Sequence, residues 1–177
     1  LNVTWMRSFE KKGRTISVNV NPGINHQGSV NDISNTVGYT VSSVFKDTTK
    51  KQSTSTLKDV KTFSANLTFT EGLDTNNLVS VLYNLNVNQN NSDRQNKVPS
   101  VLGGAYNRLD TLLSNTFSNG YLSHQIGTQY MYQNYKWNMS FGVNGQLANL
   151  TGNQVFPFNS TINRTFYSVL PNFNIRY

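Results

Sequence analysis

The sequence predicts an all-β fold: an antiparallel up-and-down transmembrane β-barrel segment of about seven or eight long strands, with short turns and long loops alternating. Three observations predict it. Apolar and polar residues alternate over unusually long stretches, the connections keep a short–long rhythm, and aromatic residues gather near strand ends. The clearest stretch is Lys136–Leu147, where Trp137, Met139, Phe141, Val143 and Leu147 share one face and Asn138, Ser140, Asn144 and Gln146 the other. A period of two means a strand with two unlike faces. Strands of soluble proteins usually stop after about 5–6 residues, whereas a strand crossing a bilayer needs about 9–11.

Taken in order, the first strand is Leu1–Phe9, closed by Glu10-Lys11-Lys12-Gly13-Arg14. The second, Thr15–Asn25, sets Ile16, Val18, Val20, Pro22 and Ile24 against Ser17, Asn19, Asn21 and Asn25. Pro22 lacks an N–H to donate, so a bulge or a lost pairing is expected there. A long polar connection, Gln27–Lys58, follows, with a hairpin arm at Val37–Phe45 that extends beyond the membrane. The third strand, Val60–Thr70, has Phe63, Ala65, Leu67 and Phe69 outward and Thr62, Ser64, Asn66 and Thr68 inward. After the turn Gly72-Leu73-Asp74-Thr75-Asn76, the fourth strand, Asn77–Asn88, sets Val79, Val81, Tyr83, Leu85 and Val87 against Ser80, Asn84, Asn86 and Asn88.

A second long connection, Gln89–Asn115, leads to the fifth strand, Phe117–Gln133. That strand turns at Asn134-Tyr135 into the sixth, Lys136–Asn149. A third connection, Leu150–Asn163, precedes the seventh, Arg164–Tyr177, whose Tyr167, Val169, Phe173 and Ile175 face lipid. One rim of an up-and-down barrel carries tight turns and the other extended loops. Trp5, Phe9, Tyr130, Tyr132, Trp137 and Tyr177 stand near strand ends, where amphipathic rings meet a membrane interface. Bacterial single-chain barrels have even strand counts, so either Val37–Phe45 is an eighth strand or residues 1–177 are one part of a larger barrel. The second reading is preferred, because both ends fall inside strand-like runs and no leader is seen before Leu1.

Composition is compatible. Mean hydropathy is −0.47 and no apolar run approaches the roughly 18 residues of a transmembrane helix, as expected where half of every strand is polar. Charged residues are 13% of the chain and cysteine is absent, so neither disulfides nor thiolate metal sites are available. The formal net charge is +7, with Lys11, Lys12 and Arg14 in one connection and Lys46, Lys50, Lys51 and Lys58 in another. Such loops suit anionic lipid headgroups or lipopolysaccharide and leave Lys50 and Lys51 open to trypsin. No basic–aromatic nucleic-acid motif stands out.

Several landmarks then fall in order: Arg7-Ser8-Phe9, Lys12-Gly13-Arg14-Thr15, Thr70-Glu71-Gly72-Leu73, and Tyr83 midway along the next strand. Leu109-Asp110-Thr111-Leu112-Leu113-Ser114-Asn115-Thr116-Phe117 follows, then Tyr130 and Trp137, then Phe166 with Leu170-Pro171. In this order and spacing the chain resembles, over nearly its whole length, the outer-membrane β-barrel family of Bacteroidota that is similar to TonB-dependent receptors. Gly72 departs from the family, which often has proline after the glutamate. The resemblance implies a large outer-membrane barrel preceded by a carboxypeptidase-like domain and a plug. It also implies solute binding or transport, coupled to the TonB system through parts not seen in these residues.

No catalytic, cofactor or metal site is read from the sequence. His26 and His124 have no spacing-matched ligand partner. Ser123 and His124 are neighbours in a strand and point to opposite faces, so they form no nucleophile–base pair. His124 belongs to the apolar face near the loop rim. Glu71 and Asp74 flank a turn and read as turn chemistry. The Asn-x-Ser/Thr triplets at Asn66, Asn138 and Asn159 arise from a polar strand face rather than from glycosylation. Phe156-Pro157-Phe158, Tyr39, Tyr106 and Tyr121 are candidates for stacking on a ligand such as a sugar. Two alternatives stand beside a solute-binding barrel: a passive or structural barrel, and a secreted soluble β-sandwich that binds glycans.

Overall fold

The computed structural model describes residues 1–42, 44–100 and 104–177, and these form strands and turns with no helix. Eight strands follow one another: β1 (Val3–Ser8), β2 (Thr15–Val41), β3 (Val44–Gly72), β4 (Asn77–Pro99), β5 (Tyr106–Leu109), β6 (Asn115–Gln133), β7 (Asn138–Phe156) and β8 (Ser160–Arg176). They make one antiparallel up-and-down sheet in the order β1-β2-β3-β4-β6-β7-β8, with the short β5 paired to the end of β4. The sheet is open, and β1 and β8 are its edges.

β2, β3 and β4 are much longer than the apolar alternation marks, whereas β1 is shorter than Leu1–Phe9. β2 and β3 have 27 and 29 residues, so β3 extends roughly 95 Å at about 3.3 Å per residue. The expected loop Gln27–Lys58 is therefore the far half of a hairpin, paired from Asn25↔Val60 to Val41↔Val44. Most of the Val37–Phe45 arm is the end of that hairpin rather than a separate strand; its residue 43 lies outside the described residues. The expected loop Leu150–Asn163 shrinks likewise to the turn between Phe156 and Ser160. In Gln89–Asn115, β4 continues to Pro99, β5 is added and β6 begins at Asn115, while residues 101–103 lie outside the described residues. Polar strands hold together here because backbone pairing is indifferent to side-chain polarity, and short polar side chains bond across it. Thr36 and Thr49, for example, place their hydroxyls 2.9 Å apart.

Proline positions follow the edges. Pro22 pairs in unbroken register with Phe63, not in a bulge. β1 reaches only to Val20, so at Pro22 one side of β2 is free of a partner strand. Pro171 lies on the edge strand β8.

Three short turns mark one rim. Gly13 takes a φ of 80°, which an L side chain rarely adopts, and Arg14 N–H closes the first turn on Lys11 O at 3.1 Å. In the other two, Asp74 and Asn134 each accept two backbone N–H groups through Oδ1, at 2.7 and 2.9 Å and at 2.8 and 2.7 Å. A side-chain acceptor two residues back is what reverses the chain so sharply.

This rim is staggered. On the level that joins Thr15, Thr70, Ser80, Gln129 and Gly142, β2 begins at Thr15 itself. β3 runs on two residues to Gly72, and β6 runs on four to Gln133. The rim thus recedes by two residues per hairpin, one per strand. A step of about 3.3 Å over a strand spacing of about 4.8 Å tilts the strands by about 35° from the rim normal. Barrel strands tilt by about 35–45°.

Candidate functional site: an apolar belt backed by a polar face

The register decides which side chains share a face, because residues opposite one another in adjacent strands point the same way. One level reads Trp5–Val18–Leu67–Tyr83–Ile126–Gly145–Val169, and the next but one toward the turns reads Arg7–Ile16–Phe69–Val81–Thr128–Val143–Pro171. The level between them is Met6–Ser17–Thr68–Leu82–Gly127–Asn144–Leu170, on the reverse face. No register shift interrupts these levels. Ile16, Val18, Val20, Phe63, Leu67, Phe69, Val79, Val81, Tyr83, Leu85, Met139, Phe141, Val143, Tyr167, Val169, Phe173 and Ile175 accordingly share one face. Ser17, Asn19, Asn21, Ser64, Asn66, Thr68, Ser80, Asn84, Asn86, Asn138, Ser140, Asn144 and Gln146 share the other. Trp137 stands one residue before β7, and its ring lies 4.8 Å from that of Tyr177.

The apolar face has a definite height. On β7 it runs from Trp137 to Leu147 and on β4 from Val79 to Val87. Beyond that it becomes polar on every strand it crosses, at His26–Asp59–Asn91–Ser118–Asn153–Thr161. Nine to eleven residues, about 33 Å along a strand and about 27 Å after a 35° tilt, match the roughly 25 Å apolar band of a membrane barrel.

Exposure is inverted relative to a water-soluble sheet. Ser80, Ser123 and Ala148 of the polar face are only 3%, 2% and 6% exposed, whereas Phe141, Ile126 and Phe173 of the apolar face are 56%, 62% and 65% exposed. Among the described residues nothing packs on the belt: the strands contact only their neighbours in the sheet. A continuous, uncovered apolar surface across neighbouring strands is a feature of interaction surfaces, whether with protein or with membrane.

The polar face is knit by neutral hydrogen bonds. Asn19 Nδ2 donates to Thr4 Oγ1 at 2.7 Å, Asn84 Nδ2 to Gln125 Oε1 at 3.3 Å, and Gln146 Nε2 to Tyr121 Oη and Ser123 Oγ at 3.1 and 3.3 Å. Thr70 and Ser80 hydroxyls lie 2.9 Å apart. On the apolar face Tyr83 Oη meets His124 Nδ1 at 2.8 Å, so that His124 has its polar need met within the belt. Ser123 and His124 are engaged on opposite faces. His26 contacts Asp59 beyond the belt, and no cluster of three metal-ligating side chains occurs among the described residues.

The remaining sequence candidates disperse. Gly23 shares the level of Tyr121, and Tyr39 is a further sixteen residues along β2, roughly 50 Å away. The two tyrosines therefore cannot form one stacking site within the sheet.

Just past the belt, at the short-turn rim, Glu71 accepts from Arg14 Nε and Nη2 at 2.7 and 3.0 Å and contacts Lys11 Nζ. Sequence reading treats Glu71 as part of its own turn; the fold makes it a clasp between two turns. A Cβ on Gly72 would lie 2.6 Å from Lys12 O, so only glycine allows this approach. The hydrogen bond from Arg14, then that from Lys11, brings the Glu71 carboxyl down to about 2 from its ordinary 4.5. A lowered pKa means that the clasp contributes fully above the ordinary carboxylate range and is lost as pH falls toward 2. We expect amide exchange at Phe9 and Arg14 to stay slow from neutral pH to about 4.5 and to lose protection toward pH 2. Glu71→Gln should lack that protection at every pH; equal protection in both proteins would contradict the clasp.

Comparison with protein-family models finds no match to this chain, and comparison with curated proteins finds none either.

Proposed function

We propose that the chain is part of a β-barrel of the bacterial outer membrane, similar to TonB-dependent receptors, that binds or passes an extracellular solute. The observation that carries this reading is the belt: a band of exposed apolar side chains of bilayer height, backed by a sheltered polar face. Lipid outside and water inside is the environment in which that inversion is stable. The one-residue stagger per strand supports it, being the shear that a closed barrel requires. The two edges, β1 and β8, would pair with further strands of a larger barrel. The ordered landmarks from Arg7 to Pro171 support the likeness to TonB-dependent receptors, whose energised transport would rest on partners outside this chain. Catalysis is no part of the proposal, nor is a cofactor.

The short turns would then face the periplasm and the long hairpins the outside. β2 and β3 continue seventeen residues past Ile24 to Val41, lifting the hairpin roughly 45 Å above the belt at a 35° tilt. Lys50 and Lys51 sit not in a loop but in a paired ladder opposite Asn35 and Ser34, so they should resist trypsin. Leu112, 91% exposed between β5 and β6, and Tyr135, 93% exposed in the β6–β7 turn, lie at opposite rims. With the full-length protein in intact cells, chymotrypsin should cut at Leu112 while Tyr135 stays protected until the envelope is opened. Cleavage at both in whole cells, or release of the protein in soluble form, would favour the secreted β-sandwich instead.

A further inference from the structure

The acids are confined to one face, while cations stand on both. Asp32, Asp47, Asp59, Glu71 and Asp93, all the acids within the eight strands, stand on the apolar-belt face. The contacts of Asp59 with His26 and of Asp93 with Thr116 Oγ1 at 2.7 Å keep two of them there. The polar face carries no acid in any described strand. Beyond the belt, on the side away from the short turns, it carries Lys46, Lys50, Lys58, Arg94, Arg108 and Arg164. None of these six takes part in an ion pair among the described residues. At belt height the same face bears no acid and a single described cation, Arg176 opposite Asn138 beside the short-turn rim; its other residues there are mostly Asn, Gln, Ser, Thr and small or apolar side chains.

Lys58 and Arg94 are the closest pair. Lys58 stands opposite Ser92 and Arg94 opposite Thr56, a diagonal across the β3–β4 ladder of roughly 7–8 Å. Arg94 borders a depression of about 460 Å³ whose wall includes Ser29, Asn31, Thr54 and Ser92, amides and hydroxyls that can complete the hydrogen bonding of an oxyanion. Unpaired cations of one sign on a concave wall focus the field and raise the local concentration of anions, and rings of Lys or Arg select anions in pores.

We propose that the polar face beyond the belt recognises solutes carrying several negative charges, with Lys58 and Arg94 as the principal contacts. This deepens the barrel reading and rests on it, since only inside a barrel does that face become a mouth. It also places Lys46, Lys50 and Lys58 on the inner wall rather than in a loop that meets lipid headgroups.

The test is calorimetric titration of the full-length protein in detergent micelles with myo-inositol hexakisphosphate, and with uncharged myo-inositol as the control. Hexakisphosphate should bind and myo-inositol should not, with affinity falling as the Debye length shrinks from about 10 Å at 0.1 M salt to about 3 Å at 1 M. Lys58→Glu with Arg94→Glu should weaken binding at least about tenfold, and the milder Lys58→Gln with Arg94→Gln should weaken it in the same direction. Lys51→Glu with Lys61→Glu makes the same charge change on the opposite face and should leave binding unchanged. Absence of hexakisphosphate binding, or equal weakening by both glutamate pairs, would overturn the proposal. The barrel reading fails separately, through protease cleavage at both rims of intact cells.

Discussion

Phe141→Arg should destabilise the full-length protein in lipid by about 2–4 kcal/mol, whereas Asn144→Arg should be tolerated. Phe141 lies one residue from the middle of the apolar run Trp137–Leu147 on β7, flanked by Tyr130 and Phe173, and its ring is 56% exposed. A guanidinium there must shed its water into hydrocarbon or drag water inward. Asn144 is only three residues away but on the reverse face, between Gly127 and Leu170. Its replacement would reach into the polar side, beside hydroxyl and amide neighbours. Urea titration of each variant refolded into bilayers measures the difference. Equal tolerance at the two positions would remove the membrane assignment, because a lipid-facing side chain cannot become a guanidinium without loss.

Gly127→Val should cost about 1–3 kcal/mol through overpacking, while Gly145→Val should be close to neutral. Gly127 is in β6 on the polar face. A Cβ there would lie 1.9 Å from Asn144 Oδ1 and 2.7 Å from Val143 O. The amide can swing aside, but the carbonyl belongs to the backbone of β7, so the strands themselves must part. Gly145 is in the same β6–β7 ladder, opposite Ile126, and a Cβ there would meet only Ile126 O at 3.9 Å. The same urea midpoints compare the two. A similar loss at both would mean that valine opposes the strand itself, and that the close approach at Gly127 is not the cause.

The two glycines show where sequence reading stops. Both stand in alternating runs, and nothing in their neighbours separates them. The difference comes from which residue lies across the ladder. Glu71 is a second instance. Its sequence context is a turn, yet its partners Lys11 and Arg14 are some sixty residues earlier and are brought close only because β2 pairs with β3.

Strand ends tell the same story from the other side. Where Phe63 alternates with Ser64 and Leu67 with Asn66, one face is apolar and the other polar, and the pattern is written in the residues. Past Asn25 and before Val60 both faces are largely polar and the alternation fades, although the hydrogen-bonded ladder goes on to Val41 and Val44. Reading Gln27–Lys58 as a loop confused the end of the apolar contrast with the end of the strand.

By itself, then, the sequence determined the all-β class, the long antiparallel strands at belt height and the membership of each face, because a side-chain period of two needs no knowledge of partners. The tertiary structure alone decided the lengths of the hairpins, the stagger of the rim, the Glu71 clasp and the confinement of the strand acids to one face. Each of these depends on how two strands pair; the turn and the apolar face fix the register where they are present, but neither strand alone states how far the ladder runs or which side chains meet across it.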